Sequence, residues 1–114
     1  MFKGCYTASI TPMRADGSVD YDGLEKLNAF QIECGIQGIL AVGTTGESPT
    51  LLWEEHNQVI DRTCKQGAGK CLRIAGTGSN STRETLAATA HAAHAGADAA
   101  LLVDPYYNGP SSLE

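Results

Sequence analysis

The sequence has 114 residues, of which 42% are hydrophobic and 18% are charged. This composition is typical of a globular domain and excludes an intrinsically disordered chain. Thirteen acidic residues against eight basic ones give a net charge of -5, which argues against a nucleic-acid partner. No apolar run approaches the roughly 20 residues of a membrane helix, and Met1–Cys5 contains no signal-peptide core, so we expect a cytoplasmic protein.

The cysteines stand singly among apolar neighbours and form no CxxC pair. They are Cys5, Cys34, Cys64 and Cys71. This spacing predicts reduced thiols in the core rather than a zinc or redox centre. The even count leaves a disulfide framework open as the alternative.

The first unit is a predicted strand over Cys5–Ile10, which Pro12 ends because proline cannot donate a ladder hydrogen bond. A helix follows from about Asp20, with Asp20 or Asp22 as its N-cap and Gly35 just beyond its end. Its apolar residues recur at helical spacing: Leu24, Leu27 and Phe30.

A second strand is predicted over Ile36–Val42, and it runs directly into the loop Gly43–Glu47. The next helix is predicted over Trp53–Gln66, and the glycines of 67–69 end it. Its inward face consists of Val59, Ile60 and Cys64.

A third strand is predicted over Leu72–Ala75. Ser81 and Glu84 then fit the reciprocal capping box that opens helices, and the third helix runs to Gly96. A fourth strand is predicted over Ala99–Val103. The strand–helix alternation repeats about every 30 residues, which indicates an α/β fold with a parallel sheet.

The last four residues repeat a helix-start pattern, with Ser111 followed three positions later by Glu114. A helix needs about 8 to 20 residues in a globular fold. We therefore expect these residues to belong to a longer protein.

The loop Gly43–Glu47, with the sequence GTTGE, is the most informative segment for function. It follows a parallel strand, where α/β folds place ligands, and its hydroxyls and backbone NH groups suit a small carboxylate. An ordinary strand–helix turn with threonine capping is the alternative. Nucleotide binding is disfavoured, because this loop lacks the lysine of a phosphate loop and residues 76–81 lack the third glycine of a dinucleotide fingerprint.

His91 and His94 lie three residues apart on the third predicted helix. A metal would need further ligands that this pattern does not provide. We interpret both as solvated or packing residues and predict no metal site.

Three motifs, GTTGES at 43–48, AGTGSNST at 75–82 and DPYYNGPS at 104–111, resemble the dihydrodipicolinate synthase family of pyruvate-dependent class I aldolases. The resemblance covers the whole chain and implies a (β/α)8 TIM barrel. Residues 1–114 would form its first half, a single partial domain that stops before the fourth helix. The resemblance implies no metal or organic cofactor.

The resemblance implies a lyase in which pyruvate forms a Schiff base with a lysine on a later strand, beyond Glu114. The enamine then attacks L-aspartate 4-semialdehyde and gives 4-hydroxy-tetrahydrodipicolinate for lysine and diaminopimelate biosynthesis. The lysines of this chain lie near strand starts, on helices or in loops: Lys3, Lys26, Lys65 and Lys70. We therefore expect residues 1–114 alone to be inactive.

By the same resemblance, Thr44 and Thr45 with the loop NH groups hold the pyruvate carboxylate. Thr44 and Tyr107 belong to a hydroxyl relay, and Tyr107 reaches the neighbouring subunit of a homodimer or tetramer. The alternative is that Tyr106 and Tyr107 only pack at an interface.

A further set of residues resembles a feedback site for L-lysine, with Glu84 as the partner of an ammonium group. Its members are Ser48, Pro49, Trp53, His56, Asn80, Glu84 and Tyr106. For Glu84, the capping box is the competing structural role.

Two rival functions stay open. One is another aldolase of the same superfamily, acting on 2-keto-3-deoxy sugar acids or on sialic acid. The other is a non-catalytic half-barrel assembly module. We expect residues 1–114 by themselves to form an oligomer, because an open half-barrel exposes sheet edges and an apolar face.

Overall fold

The fold is a parallel sheet whose strands are joined by helices. A computed structural model describes residues 3–107, 109 and 111. The strands are β1 (Tyr6–Ala8), β2 (Gly38–Ala41), β3 (Leu72–Gly76) and β4 (Ala99–Leu101). The helices are α1 (Tyr21–Glu33), α2 (Trp53–Gly67) and α3 (Thr82–Ala95), and a 3-10 turn over Ser48–Thr50 precedes α2. The predicted fourth-helix signal ends at Glu114, outside the described residues.

The strands lie in the sheet in chain order, β1-β2-β3-β4, and all neighbouring pairs are parallel. Parallel neighbours cannot be joined by a tight hairpin, so each connection crosses over through a helix. This sequential order is that of the first half of a (β/α)8 barrel, as predicted. All the carboxyl ends of the strands therefore meet at one edge.

The helix ends follow the predicted capping signals. Of the two candidate N-caps of α1, Asp20 is the one used, because its carboxylate accepts a hydrogen bond from the Gly23 NH at 3.1 Å. Gly35 and Gly96 follow α1 and α3 with left-handed φ values of 81° and 91°, which glycine adopts without strain. Within the described residues, no helix has the length and apolar character needed to cross a membrane.

The core lies between the sheet and α2. Val59 and Ile60 are 1% and 0% exposed, and Cys64 is also buried, so the predicted inward face of α2 is confirmed. Burying one such aliphatic side chain contributes about 1.5–3 kcal/mol to stability.

The inward face of α1 differs from the predicted apolar stripe. Leu24 is buried, but Phe30 is 62% exposed. Asn28 takes an inward position instead, and its amide donates to Thr63 Oγ1 at 3.1 Å and to Gln66 Oε1 at 3.0 Å. Polar pairing between α1 and α2 thus replaces part of the expected apolar contact.

Three strands are shorter than predicted: β1 is Tyr6–Ala8 and not Cys5–Ile10, β2 is Gly38–Ala41 and not Ile36–Val42, and β4 is Ala99–Leu101 and not Ala99–Val103. At the end of β2 the reason is local, because Val42 has a φ of 48°, which an extended strand does not allow. Beyond the end of β1 one hydrogen bond to β2 remains, because the Ser9 NH donates to the Leu40 carbonyl at 3.0 Å.

The expectation of core cysteines is wrong for two of the four. Cys64 is buried and Cys71 partly buried, whereas Cys5 and Cys34 are exposed, and all four are free thiols. Cys5 precedes β1 at the edge of the sheet, and Cys34 is the C-cap of α1, so their apolar neighbours in sequence do not cover them. Burial raises the pKa of Cys64 to about 11, which keeps this thiol protonated and unreactive.

His91 joins two helices rather than facing solvent alone. Its Nε2 lies 2.8 Å from Oδ1 of Asp61, so the residue links α3 to α2. No group of three or more His, Cys, Asp or Glu side chains that could hold a metal occurs among the described residues.

An ion pair connects Arg73 of β3 to Asp98, the residue that precedes β4. Arg73 Nε and Nη2 donate to the two carboxylate oxygens of Asp98, both at 2.8 Å, and the Arg73 NH also donates to Asp98 Oδ2. This bidentate geometry is the strong form of an arginine–carboxylate contact. The arginine hydrogen bond lowers the pKa of Asp98, although partial burial opposes the shift.

We expect Asp98→Asn to lower the free energy of unfolding by about 2 kcal/mol at pH 7, since hydrogen bonds to charged groups contribute about 1.5–3 kcal/mol. Because the folded-state pKa is depressed, the stabilisation is present above the ordinary carboxyl pKa of 3.8 and is lost as the pH falls through the lower folded value. Urea unfolding at pH 7 and below pH 4 measures both effects. The control is Asp22→Asn, an exposed carboxylate, and an equal loss in that variant would contradict a specific role for Asp98.

Candidate functional site

The loop that follows β2 is folded into consecutive tight turns. The Gly46 NH donates to the Gly43 carbonyl at 3.1 Å, and the Glu47 NH donates to the Thr44 carbonyl at 3.0 Å. Thr44 and Thr45 occupy the exposed tip between these turns. Their own backbone NH groups have no hydrogen-bond acceptor within residues 3–107, so they are available to an anion.

The loop is anchored to the segment that follows β1. Thr11 is buried, and its hydroxyl donates to the Gly46 carbonyl at 2.7 Å. A Cβ at position 46 would lie 3.1 Å from the Ser9 carbonyl oxygen and from the Cα of Val42. Close backbone packing therefore favours glycine at the second glycine of the motif, and a larger residue would need its neighbours to shift.

A cleft of ≈ 330 Å³ opens beside this loop, at the carboxyl ends of β2, β3 and β4. Thr44 and Gly43 form one wall, and Leu101 and Val103 contribute apolar surface. Gly76 forms the floor, where a Cβ would lie 2.2 Å from the Val42 carbonyl oxygen. The structure thus brings Thr44 into the cleft and leaves Thr45 exposed just outside its wall.

The two tyrosines beyond β4 differ in their surroundings. Tyr106 lines the cleft, whereas Tyr107 is fully exposed and has a left-handed φ of 72°. Asn108, the next residue of the DPYYNGPS motif, lies outside the described residues. The structure does not bring Tyr107 to Thr44 within this chain.

A second cavity, of ≈ 100 Å³, lies between the 3-10 turn, the start of α2 and the start of α3. Six of the seven residues predicted for the lysine site line it: Ser48, Pro49, Trp53, His56, Glu84 and Tyr106. Leu51, Gly78 and Ser79 complete the wall. Sequence reasoning missed these three, although the position of Ser79 beside Asn80 in the motif was a usable signal. We call this cavity the effector pocket.

Asn80, the seventh predicted residue, has a different position. Its amide Nδ2 donates to the Tyr106 carbonyl at 3.1 Å, and its Oδ1 accepts from the Tyr106 NH at 2.6 Å. The side chain therefore clamps the backbone of Tyr106 and does not line the pocket.

His56 is the most buried polar side chain of the effector pocket, with 1% exposure. Neither ring nitrogen has a hydrogen-bond partner in the described part of the chain, and the ring packs edge-on against Trp53 at 4.7 Å. Burial lowers the pKa of His56, and the nearby Asn57 side chain and Gly76 backbone only partly oppose this shift without reaching hydrogen-bond geometry. A neutral imidazole offers one donor and one acceptor to a ligand.

The capping box predicted at the start of α3 is only half formed. Ser81 Oγ accepts from the Glu84 NH at 3.4 Å, but the Glu84 carboxylate does not return to the Ser81 NH. It accepts instead from the hydroxyl of Ser79. The reciprocal box was therefore a wrong expectation, and the carboxylate is left in the wall of the effector pocket.

The lysines lie away from both cavities. Lys3, Lys26, Lys65 and Lys70 are exposed, and none of them lines the cleft or the effector pocket. Both cavities are thus built without an amine from the described residues.

Comparison with known proteins agrees with this geometry. The model of the Dihydrodipicolinate synthetase family matches residues 1–114. The 4-hydroxy-tetrahydrodipicolinate synthase of Pelagibacter ubique (strain HTCC1062) is 53% identical over 111 residues, which are 97% of this chain and 38% of that protein.

Two solved structures are also similar. The chloride-inhibited dihydrodipicolinate synthase of Acinetobacter baumannii complexed with pyruvate has a TM-score of 0.93 and 51% identity over 97% of this chain and 38% of its own. The Cyanidioschyzon merolae enzyme with lysine bound has a TM-score of 0.88 and 45% identity over 94% of this chain and 37% of its own.

The chain therefore spans somewhat more than a third of the length of these relatives. Since the family model matches every residue from 1 to 114, the chain belongs to the dihydrodipicolinate synthetase family.

Proposed function

We propose that the complete protein condenses pyruvate, bound as a lysine Schiff base, with L-aspartate 4-semialdehyde to give 4-hydroxy-tetrahydrodipicolinate. The observation that carries this proposal is the cleft beside Thr44 at the carboxyl ends of the strands. That edge is where barrel enzymes of this kind place their chemistry. The pyruvate complex of the A. baumannii relative supports the choice of donor substrate.

The loop supplies what a carboxylate needs. The NH groups of Thr44 and Thr45 make no hydrogen bond with the described residues, and both threonine side chains are exposed. Fixed donors of this kind stabilise an anion without reorganising when it binds. The pyruvate carboxylate would lie at the loop tip, with its carbonyl carbon over the apolar part of the cleft.

The amine that attacks this carbonyl comes from another part of the barrel. It adds to the keto carbon with loss of water to give an imine. The imine loses a proton from its methyl carbon to become an enamine, and that carbon attacks the aldehyde carbon of the second substrate. Because the four lysines of residues 1–114 lie away from the cleft, these residues alone are inactive in this proposal.

Thr44 and Tyr107 take part in proton transfer across a subunit interface in this proposal. A phenolic hydroxyl both donates and accepts, which suits it to a relay. The full exposure of Tyr107 supports a role towards a second subunit. The protein then acts as a homo-oligomer in the cytoplasm.

The effector pocket binds L-lysine as a feedback inhibitor. Glu84 provides the negative charge for an ammonium group, and the buried ring of His56 provides a polar contact. The lysine-bound relative from C. merolae supports this assignment.

A chimera tests the proposal. Residues 1–114 replace the matching segment of the P. ubique relative, and the purified chimera is incubated with both substrates and, separately, with pyruvate and borohydride. We expect product formation and a stable pyruvate adduct in the chimera, and no adduct on residues 1–114 alone.

Other outcomes identify the rivals. A folded chimera that forms the adduct but accepts only sugar aldehydes would favour an aldolase for 2-keto-3-deoxy sugar acids or sialic acid. A folded chimera without any adduct would favour the non-catalytic assembly module. An adduct on the isolated residues 1–114 would contradict their inactivity.

A further inference from the structure

Ser79 occupies the junction between the effector pocket and the start of α3. Its hydroxyl accepts from the Ser81 NH at 3.2 Å and donates to Glu84 Oε2 at 2.5 Å. The hydroxyl therefore bridges a backbone NH at the start of α3 and the Glu84 carboxylate. It fills the place of the direct bond that a capping box would make between Ser81 and Glu84.

The backbone of Ser79 is fixed as well. Its NH donates to Thr85 Oγ1 at 3.0 Å, and its carbonyl accepts from the same hydroxyl at 3.4 Å. Hydrogen bonds thus hold Ser79 at the NH, the carbonyl and the side chain. A hydroxyl held in this way can orient its partner, because it has little freedom to follow that partner elsewhere.

The hydrogen bond from the Ser79 hydroxyl determines where the negative charge of Glu84 lies. Ser79 and Glu84 both line the effector pocket, and Ser79 engages only Oε2 of the carboxylate. Oε1 makes no hydrogen bond in the described residues and can accept from a ligand. Without the Ser79 hydroxyl, the carboxylate can swing to the vacant Ser81 NH and complete the capping box away from the pocket.

We propose that Ser79 is a positioning residue that sets the affinity of the effector pocket for an ammonium ligand, by holding the Glu84 carboxylate towards the cavity. This inference rests on the proposed binding of L-lysine to that pocket. It adds a residue to the site and explains why Glu84 is available to a ligand although its sequence context favours a helix cap.

Calorimetric titration of the chimera with L-lysine tests the affinity. We expect Ser79→Ala to weaken binding about 10- to 100-fold, the effect of one lost hydrogen bond to a charged group, and Ser79→Thr to keep the affinity within about threefold of the unmodified chimera, since the hydroxyl is kept. Unchanged or tighter binding by Ser79→Ala would overturn the inference. So would equal weakening by Ser79→Thr and Ser79→Ala, because that result would indicate packing rather than hydrogen bonding.

A crystal structure of the lysine-free Ser79→Ala chimera gives a readout that does not depend on the ligand. We expect a Glu84 carboxylate oxygen within hydrogen-bond distance of the Ser81 NH. A carboxylate that still faces the pocket would overturn the positioning role. If the unmodified chimera binds no lysine, the proposed effector is wrong and the affinity role of Ser79 falls with it, while this structure still decides whether Ser79 positions Glu84.

Discussion

Replacing Thr44 by valine is expected to lower kcat of the chimera by about two to three orders of magnitude. Thr44 forms the wall of the cleft at the strand ends, where its hydroxyl would pass a proton to or from the reacting carbonyl. Proton transfer by a positioned group contributes about 10²–10⁴-fold to rate. Valine keeps the shape and the β-branch of threonine and removes only the hydroxyl.

Steady-state kinetics with both substrates measures this loss, and two other variants separate its causes. Thr44→Ser keeps the hydroxyl and should retain kcat to within about tenfold. Thr45→Val changes the exposed neighbour outside the cleft wall, so we expect a raised KM for pyruvate more than a lowered kcat. A Thr44→Val chimera with normal kcat would remove the hydroxyl relay from the proposed mechanism.

Replacing Glu84 by glutamine is expected to weaken L-lysine binding by about 10- to 100-fold. The substitution keeps the size of the side chain and removes the charge, and charge-assisted hydrogen bonds contribute about 1.5–3 kcal/mol. Titration calorimetry on the chimera measures the change.

Glu54→Gln is the matched control, since Glu54 is an exposed carboxylate in the first turn of α2 and does not line the effector pocket. We expect its lysine affinity to stay within about twofold of the unmodified chimera, because exposed charges in solvent contribute little. Equal losses in the two variants would mean that net charge, and not a contact with Glu84, attracts the ligand.

The order of elements was predictable because its signals are local. Asp20, Gly35 and Gly96 mark helix ends through hydrogen bonds and φ values that involve only their own neighbours, and the inward face of α2 follows from helical spacing. The ends of the strands were less predictable. Val42 adopts a left-handed φ that a β-branched residue normally avoids, and no sequence pattern indicates this turn.

The environment of a side chain was predictable only where local sequence determines it. Cys5 and Cys34 have apolar neighbours in sequence, yet they lie at the sheet edge and at a helix end, where those neighbours do not cover them. Glu84 shows the same limit. Two donors, the NH of Ser81 and the hydroxyl of Ser79, compete for one carboxylate, and only the fold selects the second.

The sequence predicted which residues line the effector pocket better than it predicted the hydrogen bonds that hold them there. Six residues from three separate stretches of the chain do meet in one cavity. The clamp of Asn80 on Tyr106 was not predictable, because it depends on how the chain after β4 returns to the start of α3.

The cleft and the effector pocket have four residues in common: Ser48, Pro49, Gly78 and Tyr106. A ligand that moves these shared residues when it binds in one cavity changes the shape of the other cavity. Coupling between two binding equilibria is reciprocal, so a keto acid in the cleft must alter lysine affinity by the same factor by which lysine alters that of the keto acid. Lysine titrations made with and without pyruvate would then differ, even though the two molecules never touch.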